Sequence, residues 1–484
     1  MSRVIHRHRT AIERADLSRP IRTAIEDGLL TRTTALFDYG CGRGGDLKRL
    51  RKLGFDCTGW DPVHRAHAPR QPADVVNFGY VVNVIEDPVE RADTLKTAWR
   101  LARNTLVVSA RLIEEEPSLK GLKAHGDGAV TSRGTFQKFY TQDVLRNWIA
   151  QTLDAKPIAA APGVFYVFRS TEQRSAFLAE RARRRHSIRI GPNATQIYKD
   201  HEETLQPIVD FMATHGRAPA EQELDCVPRL IQEFGRPKQA IKLVKTVIGE
   251  EQWQEVAQSR SEDLLVYLAL SQFDGRPKLS ELPPSLQLDV KSFFSSYTKS
   301  CALADELLHR LGIEGLINLK CMASEVGKLL PTALYVHVDA LSHLPLELRL
   351  YEGCARGYIG RVDGATLVKL DRIKPKVTYL GYPDFNRDPH PALLFSYSVN
   401  LQTFRVKFRY FGNHANKPIL HRKETFLYSS DSRFKRFSRL TRSEEKYGLF
   451  KDSSLIGYQK QWTQLLRARN LRTRGHKLEE LKYI

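Results

Sequence analysis

The stretch "FDYGCGRGGD", residues 37–46, brings an acid to the end of an apolar run and then sets four glycines within six positions. The residues before it, "ALFDYG" (35–40), read as a strand, and those after it, "DLKRLRKLG" (46–54), as a helix. Glycine lets the backbone turn at positive φ and lets a ligand come close to the main chain. A strand that crosses into a helix through such a turn places a ligand beyond the C-terminal edge of a sheet. Working outward, "FDCTGW" (55–60), "DVVNFGYV" (74–81) and "NTLVVSA" (104–110) are short apolar runs bounded by turn signals, and "PVERADTLKTAWRLAR" (88–103) is a helical pattern between them. Strands alternating with helices predict an α/β fold with a Rossmann-like, mostly parallel sheet over residues 1–170, closed by "APGVFYVFRS" (161–170) as a final edge strand.

Two adenosine cofactors compete for the loop. Gly40, Gly42 and Gly45 meet the dinucleotide spacing loosely, whereas Asp38, Gly40, Gly42 and Gly44 form a denser acid-x-G-x-G-x-G pattern. A carboxylate ahead of the glycines repels a pyrophosphate and suits S-adenosyl-L-methionine, which carries a sulfonium and an ammonium and no phosphate. Asp61, 17 residues after Gly44, can accept both ribose hydroxyls of either cofactor; its structural alternative is a helix N-cap ahead of Pro62.

The rest of the chain is organised differently. Residues 171–196 read as a helix or basic linker, ending in "ERARRRHSIRIGPNATQ" (180–196). Residues 197–330 have helical periodicity, with Gly216, Gly235, Gly249 and Gly312 at expected C-caps. Within them "LIQEFGRPKQAIKLV" invites a helix-turn-helix reading, against the commoner plain bundle. Residues 331–484 are expected to form a separate mixed α+β domain, with strands at "ALYVHVDAL", "ATLVKLDR", "KVTYLGY", "TFRVKFRYF" and "PILHRKETFLY" and a helical tail from about 441. Of the net charge of +20, residues 404–484 supply most, with 20 Lys and Arg against 7 Asp and Glu. Period-2 alternation puts Arg405, Lys407 and Arg409 on one strand face, opposite Phe404, Val406, Phe408 and Tyr410. That cationic ladder is expected to meet DNA, the alternative being a solvated tail. Six scattered cysteines without a CxxC pair argue against a zinc site. The lack of a long apolar run argues against a membrane partner and for the cytoplasm.

"FDYGCGRGGD", "GWDP" and "ADVVNFGYVVNVIEDPVERADTLKTAWRLAR" resemble, in order and register, the first, second and fourth motifs of class I S-adenosylmethionine-dependent methyltransferases. More narrowly, "RTAIERADLSRPIRTAI" (9–25), "HGDG", "GTFQKFY", "PGVFYVFR", "YEGCARGYIG", "KVTYLGYPDFNRDPHPAL" and "PILHRKE" resemble the DNA phosphorothioation-associated methyltransferases. The resemblance implies that Asp38, Gly40, Gly42 and Gly44 line the methionine side of the cofactor and that Asp61 holds the ribose. It also implies work on DNA in a modification or defence system, alongside partner proteins.

One departure stands out. Only 12 residues separate Asp61 from Asp74, too few for the usual strand-helix-strand passage, so the third strand is expected to be reduced or absent. Phe78 is the expected adenine-stacking residue in its place. "NFGY" (77–80) lacks the prolines and register of an amino-methyltransferase box, and no cysteine lies where a cytosine-C5 nucleophile would. The substrate-side candidates are His125 as general base and Asp127, between Gly126 and Gly128. Two other readings stay open: an accessory DNA-binding protein that senses the cofactor or ignores it, and a methyltransferase for RNA or a small molecule.

Overall fold

The computed structural model describes residues 5, 7–10, 16–115, 122–186, 188, 190 and 196–481. The chain divides into two compact units, Met1–Arg169 with Ile317–Ile484, and Ser170–Leu316.

In the first unit, α1 (Arg19–Glu26) precedes β1 (Leu36–Tyr39), α2 (Gly45–Lys52), β2 (Cys57–Trp60), β3 (Ala73–Gly79), α3 (Pro88–Leu101) and β4 (Ala102–Ser109). A small three-stranded sheet follows, β5 (Lys123–His125), β6 (Gly128–Val130) and β7 (Phe136–Gln137), then α4 (Gln142–Leu153) and the hairpin β8 (Ile158–Ala161) and β9 (Val164–Phe168). The main sheet has the order β2-β1-β3-β4-β9-β8. Its first four strands are parallel, and β9 runs antiparallel between β4 and β8. This is a Rossmann-like sheet with one edge shortened. Residues 61–72 form turns and no strand, so β2 is the edge where a third strand would sit. The stretch 161–170 contributes β9, which is internal; the edge on that side is β8. Phe37, Val76, Phe78, Leu106 and Val108 are fully buried between the sheet and its helices, as the unbroken apolar strands require.

The second unit is helical: α5 (Thr171–Ala182), α6 (Gln196–Asp200), α7 (Glu202–His215), α8 (Val227–Phe234), α9 (Pro237–Ile248), α10 (Glu250–Ser271), α11 (Pro284–Phe294) and α12 (Tyr297–Arg310). Residues 171–182 are thus helix packed in this unit, and the Gly-Pro-Asn of the expected linker lies outside the described residues. Gly216, Gly235 and Gly249 cap helices as anticipated, and Leu311 takes the place expected for Gly312. Asp289, buried in α11, accepts from Arg217 Nε at 2.7 Å and from Arg260 at 3.2 Å, which fixes α10 and α11 together.

After α13 (Leu316–Met322) the chain returns to the first unit. β10 (Lys328–Leu330), β11 (Ala333–His337), α14 (Leu346–Ile359), β12 (Leu367–Asp371), β13 (Lys376–Gly381), β14 (Phe395–Asn400) and β15 (Val406–Tyr410) follow. The strands form one antiparallel meander in chain order. α15 (Phe434–Lys446), α16 (Gln459–Ala468) and the hairpin β16 (Leu471–Arg474) and β17 (Lys477–Glu480) complete it. "PILHRKETFLY" is no strand but a loop with one 3-10 turn, Lys423–Phe426.

The expected separate C-terminal domain is corrected: it belongs with the Rossmann-like sheet to one compact unit. The reason lies at the end of "YEGCARGYIG". Gly360 closes α14 at φ +78°, and a Cβ there would stand 2.4 Å from the backbone of Ala160 and Ala161 in β8. Only glycine permits that approach, and the next residue, Arg361, donates its N–H to Ala160 O at 2.8 Å. Tyr358 adds a bond to Asp143 Oδ2 at 2.6 Å.

Candidate cofactor site at the glycine loop

β1 hands the chain to the loop at Gly40, Gly42 and Gly44, whose φ angles are +82°, +53° and +76°. At Gly40 a Cβ would lie 2.5 Å from Val81 Cγ2, so the turn after β1 and the turn after β3 interlock through the missing side chain. The same sheet end carries Tyr80, a non-glycine residue at φ +62°, held by its N–H to Ser109 O at 2.9 Å. Left-handed backbone at a residue with a side chain is costly and clusters at functional turns.

Asp38 sits in the sheet opposite Asn77, and Asn77 Nδ2 donates to its Oδ1 at 2.8 Å. It is 5 % exposed and does not line the cavity in front of the loop. Direct contact between Asp38 and a ligand is therefore corrected: its charge works from behind the loop. Burial first, then Asp38, pushes the Cys41 thiol up to about 12, so this loop cysteine is held protonated.

Asp61 does line the cavity. Its Oδ2 accepts from Gly42 N at 3.0 Å, and its Oδ1 from Val63 N at 3.0 Å and His64 N at 2.8 Å. It therefore ties the glycine loop to the turn after β2; no helix follows, so it caps a turn and is not the anticipated helix N-cap. A carboxylate offers about four acceptor positions, so one remains for a hydroxyl.

The cavity is about 1150 Å³, roomy enough for a nucleoside-sized ligand and part of a second molecule. Its walls are cationic: nine Lys and Arg line it, against Asp46, Asp61 and Glu90. Arg65 lies over the glycine loop, its Nη2 2.7 Å from where a Cβ of Gly44 would be, and Arg70 stacks on Trp60 at 4.4 Å. Both come from the 61–72 turns that replace the third strand. His64 comes from the same turns; it lines the cavity, and its buried Nε2 has no hydrogen-bond partner among the described residues. At the mouth, Arg7 forks onto Glu90 at 2.6 and 2.7 Å and reaches Glu86 at 2.7 Å. Those carboxylates raise the Arg7 guanidinium further, and Arg7 holds Glu86 below the usual range.

Three expected site residues lie elsewhere. Phe78 is fully buried, so no face is left to stack on adenine; the aromatics that line the cavity are Tyr39, Trp60 and Tyr80. Asp127 is the counter-charge of Arg91, which is 1 % exposed: Arg91 donates at 2.7 and 3.0 Å, and Lys138 Nζ lies 2.5 Å away. Those bonds hold Asp127 down to about 2, a fixed anion and no proton acceptor. His125 is exposed on β5, edge-on to Phe136, and lines no part of the cavity. Asn83, at the cavity edge, is a staple: its Nδ2 donates to Lys138 O and its Oδ1 accepts from Arg111 N.

Lys407 and Arg409 are exposed on β15, the edge strand, and Arg405 is exposed one residue before it. The opposite face is less buried than anticipated: Val406 and Phe408 are half-buried, Tyr410 is 51 % exposed, and Phe404 lies outside the strand at φ +52°. Among the described residues no group of His, Cys, Asp or Glu could hold a metal ion, and no helix is long and apolar enough to cross a membrane.

No family model and no curated protein matches the chain. Among solved structures it is similar to a 1,6-didemethyltoxoflavin-N1-methyltransferase from Burkholderia thailandensis bound to S-adenosylhomocysteine, at 15% identity over 31% of this chain and 78% of that one, with a TM-score of 0.23. It is also similar to the magnesium protoporphyrin IX methyltransferase of Synechocystis, at 15% identity over 31% and 80% with a TM-score of 0.22. A third is the amino pentose methyltransferase CalS10 of Micromonospora echinaspora, at 14% identity over 34% and 94% with a TM-score of 0.25. At these values nothing of what those proteins act on passes to this chain.

Proposed function

We propose that this protein is an S-adenosyl-L-methionine-dependent methyltransferase whose acceptor is DNA, working with partner proteins in a phosphorothioation-linked modification system. The observation that carries the reading is the glycine loop: three left-handed glycines at the C-terminal end of β1 face a cavity edged by Asp61. Bound there, the cofactor supplies an activated methyl group. The chain's own residues do the rest. Asp61 keeps an acceptor position for the ribose, and the loop's backbone lets the ligand lie close. His64, which lines the cavity and whose buried Nε2 has no hydrogen-bond partner among the described residues, is the group we assign to an acceptor's proton.

The nine cations argue for the class of acceptor. They suit the methionine carboxylate but repel a sulfonium, so their number is better explained by an anionic second substrate. A phosphate backbone is neutralised this way, and the exposed cations of β15 belong to the same unit as the cavity. The accessory-protein reading draws on a different fact: neither expected catalytic residue, His125 nor Asp127, lines the cavity.

Calorimetry with S-adenosylmethionine separates these readings. Binding that Asp61→Ala weakens at least tenfold is the expected result, and a wild-type chain that does not bind sinks the proposal. Labelled methyl transfer to DNA, phosphorothioated DNA, RNA and small molecules then names the acceptor. Transfer to DNA that falls about a hundredfold in His64→Ala is expected; binding without transfer to any substrate selects the accessory reading.

A further inference from the structure

The helical unit carries a motif that methyl transfer leaves unused. α8 ends at Gly235, φ +72°, and only Gly235 and Arg236 separate it from α9, which Pro237 opens. The pair does not stand alone. Leu230 of α8 and Ala240, Val244 and Ile248 of α9 are buried against Ile208, Val209 and Met212 of α7. Two short helices joined by a glycine turn and backed by a third are the elements of a helix-turn-helix, here with a two-residue turn.

Charge singles out which face is presented. Glu233 is the sole acid in residues 227–249, and the protein consumes it. It accepts from His201 Nδ1 at 2.7 Å, Thr204 Oγ1 at 3.0 Å and Arg229 Nε at 2.9 Å, bonds that also pin α8 to α7. What faces solvent is Arg236, Lys238, Gln239 and Lys242, on the side of α9 away from Ala240, Val244 and Ile248. Among the described residues none of those three cations has an ion-pair partner. A solvated helix face ordinarily mixes both signs; this one has cations and an amide, gathered at the end of the helix that enters first.

We propose that α8 and α9 form a helix-turn-helix whose second helix lies in the major groove of duplex DNA, Lys238 and Lys242 meeting phosphates and Gln239 a base edge. A groove about 12 Å wide admits one helix, and a Gln amide pairs in bidentate fashion with adenine. The inference rests on the helical unit alone and needs no cofactor.

The test uses the full chain and a random duplex library, followed by anisotropy on the enriched sequence at several salt concentrations. Wild type is expected to enrich a short sequence. Lys238→Glu with Lys242→Glu should bind it at least tenfold more weakly, with a log–log salt slope smaller by about two. Gln239→Ala, which alters no charge, should keep total affinity within about threefold and relax one base position, and it carries the test should the double reversal unfold the unit. No enriched sequence with wild type, or unchanged affinity and preference in these variants, overturns the inference. S-adenosylmethionine titration of the same variants should match wild type, so failure here is distinct from failure of the cofactor site.

Discussion

The glycine loop and the "DPHPAL"/"HRKE" region of the first unit are equally dense in polar residues, yet they do opposite things with them. At the loop, Asp61, His64, Arg65 and Arg70 border open space. In the other region the same chemistry is closed on itself. Lys423, 2 % exposed, donates from Nζ to Phe385 O at 2.7 Å, Asp388 O at 2.5 Å and His476 Nε2 at 2.8 Å, and lies 4.1 Å from the Phe437 ring centre. In the protonated form all three of its protons are placed, though burial lowers its pKa to about 7. His390 Nδ1 accepts from Trp462 Nε1 at 3.1 Å, so its Nε2 carries the proton and donates to Glu444 Oε1 at 2.6 Å. The contrast shows that a cluster of His, Lys and Glu becomes a site only where the protein leaves capacity unspent; here it is a polar core that fastens β13, α15 and the β16–β17 hairpin.

The strongest blow to this contrast would come from Lys423. Lys423→Met leaves three acceptors unpaired, that of Phe385 buried and the other two part-buried, an expected loss of about 2 kcal/mol, read as a lowered denaturation midpoint with cofactor affinity unchanged in the folded fraction. A stable variant that has lost an activity would make the cluster a site after all.

Next in size is acid. Burial holds His390 down to about 3, and His337 and His476 to about 4, and pushes Glu444 up to about 8; His421 is likewise lowered, to about 2. A histidine whose folded pKa lies below its ordinary value of 6.5 stabilises fully above pH 6.5, and the benefit falls as the unfolded chain takes up protons. Glu444 acts in the other sense, stabilising below about 4.5 and losing that benefit as pH rises toward 8. Melting followed from pH 8 to 5 should therefore decline below 6.5, four histidines outweighing the single opposing carboxyl of Glu444. A flat profile would mean that these rings are solvated.

How much of this was legible in the sequence follows from the same physics. The sheet was, because strands buried on both faces must be apolar and turns must hold glycine; the glycine loop and the shortened edge followed by counting residues. The joining of the two sheets was not, because Gly360 reads as a helix cap and only the approach of β8 shows what its missing side chain is for. Asp127 between two glycines looks the same whether it faces a substrate or a buried Arg91 that is 36 positions away. Phe78 and Trp60 are both aromatics at strand ends, and nothing local says which is covered. His64, Arg65 and Arg70 were in view all along, in the stretch "PVHRAHAPRQPA", where the missing strand hid what remained.

Gly40 gives a smaller and more local effect. With φ at +82° and Val81 Cγ2 2.5 Å from a Cβ, Gly40→Ala should cost about 1–2 kcal/mol of stability and weaken S-adenosylmethionine at least tenfold in calorimetry. Val81→Ala added to it should restore part of the stability, because the clash goes while the unfavourable φ stays. Wild-type affinity in Gly40→Ala would show that the loop is only a turn.

The smallest effect expected is none, and it marks the boundary of the open region. His125 is exposed, its ring edge-on to Phe136, and the cavity wall nearest in sequence is Gln137. A general base contributes about a hundredfold or more to its reaction, and it has to reach the proton it removes. His125→Ala should therefore leave methyl transfer within about twofold of wild type while His64→Ala does not. The opposite pattern would mean that β5 to β7 close over the acceptor when it binds, which would move the substrate side of the cavity from the turns after β2 to the small sheet beyond β4.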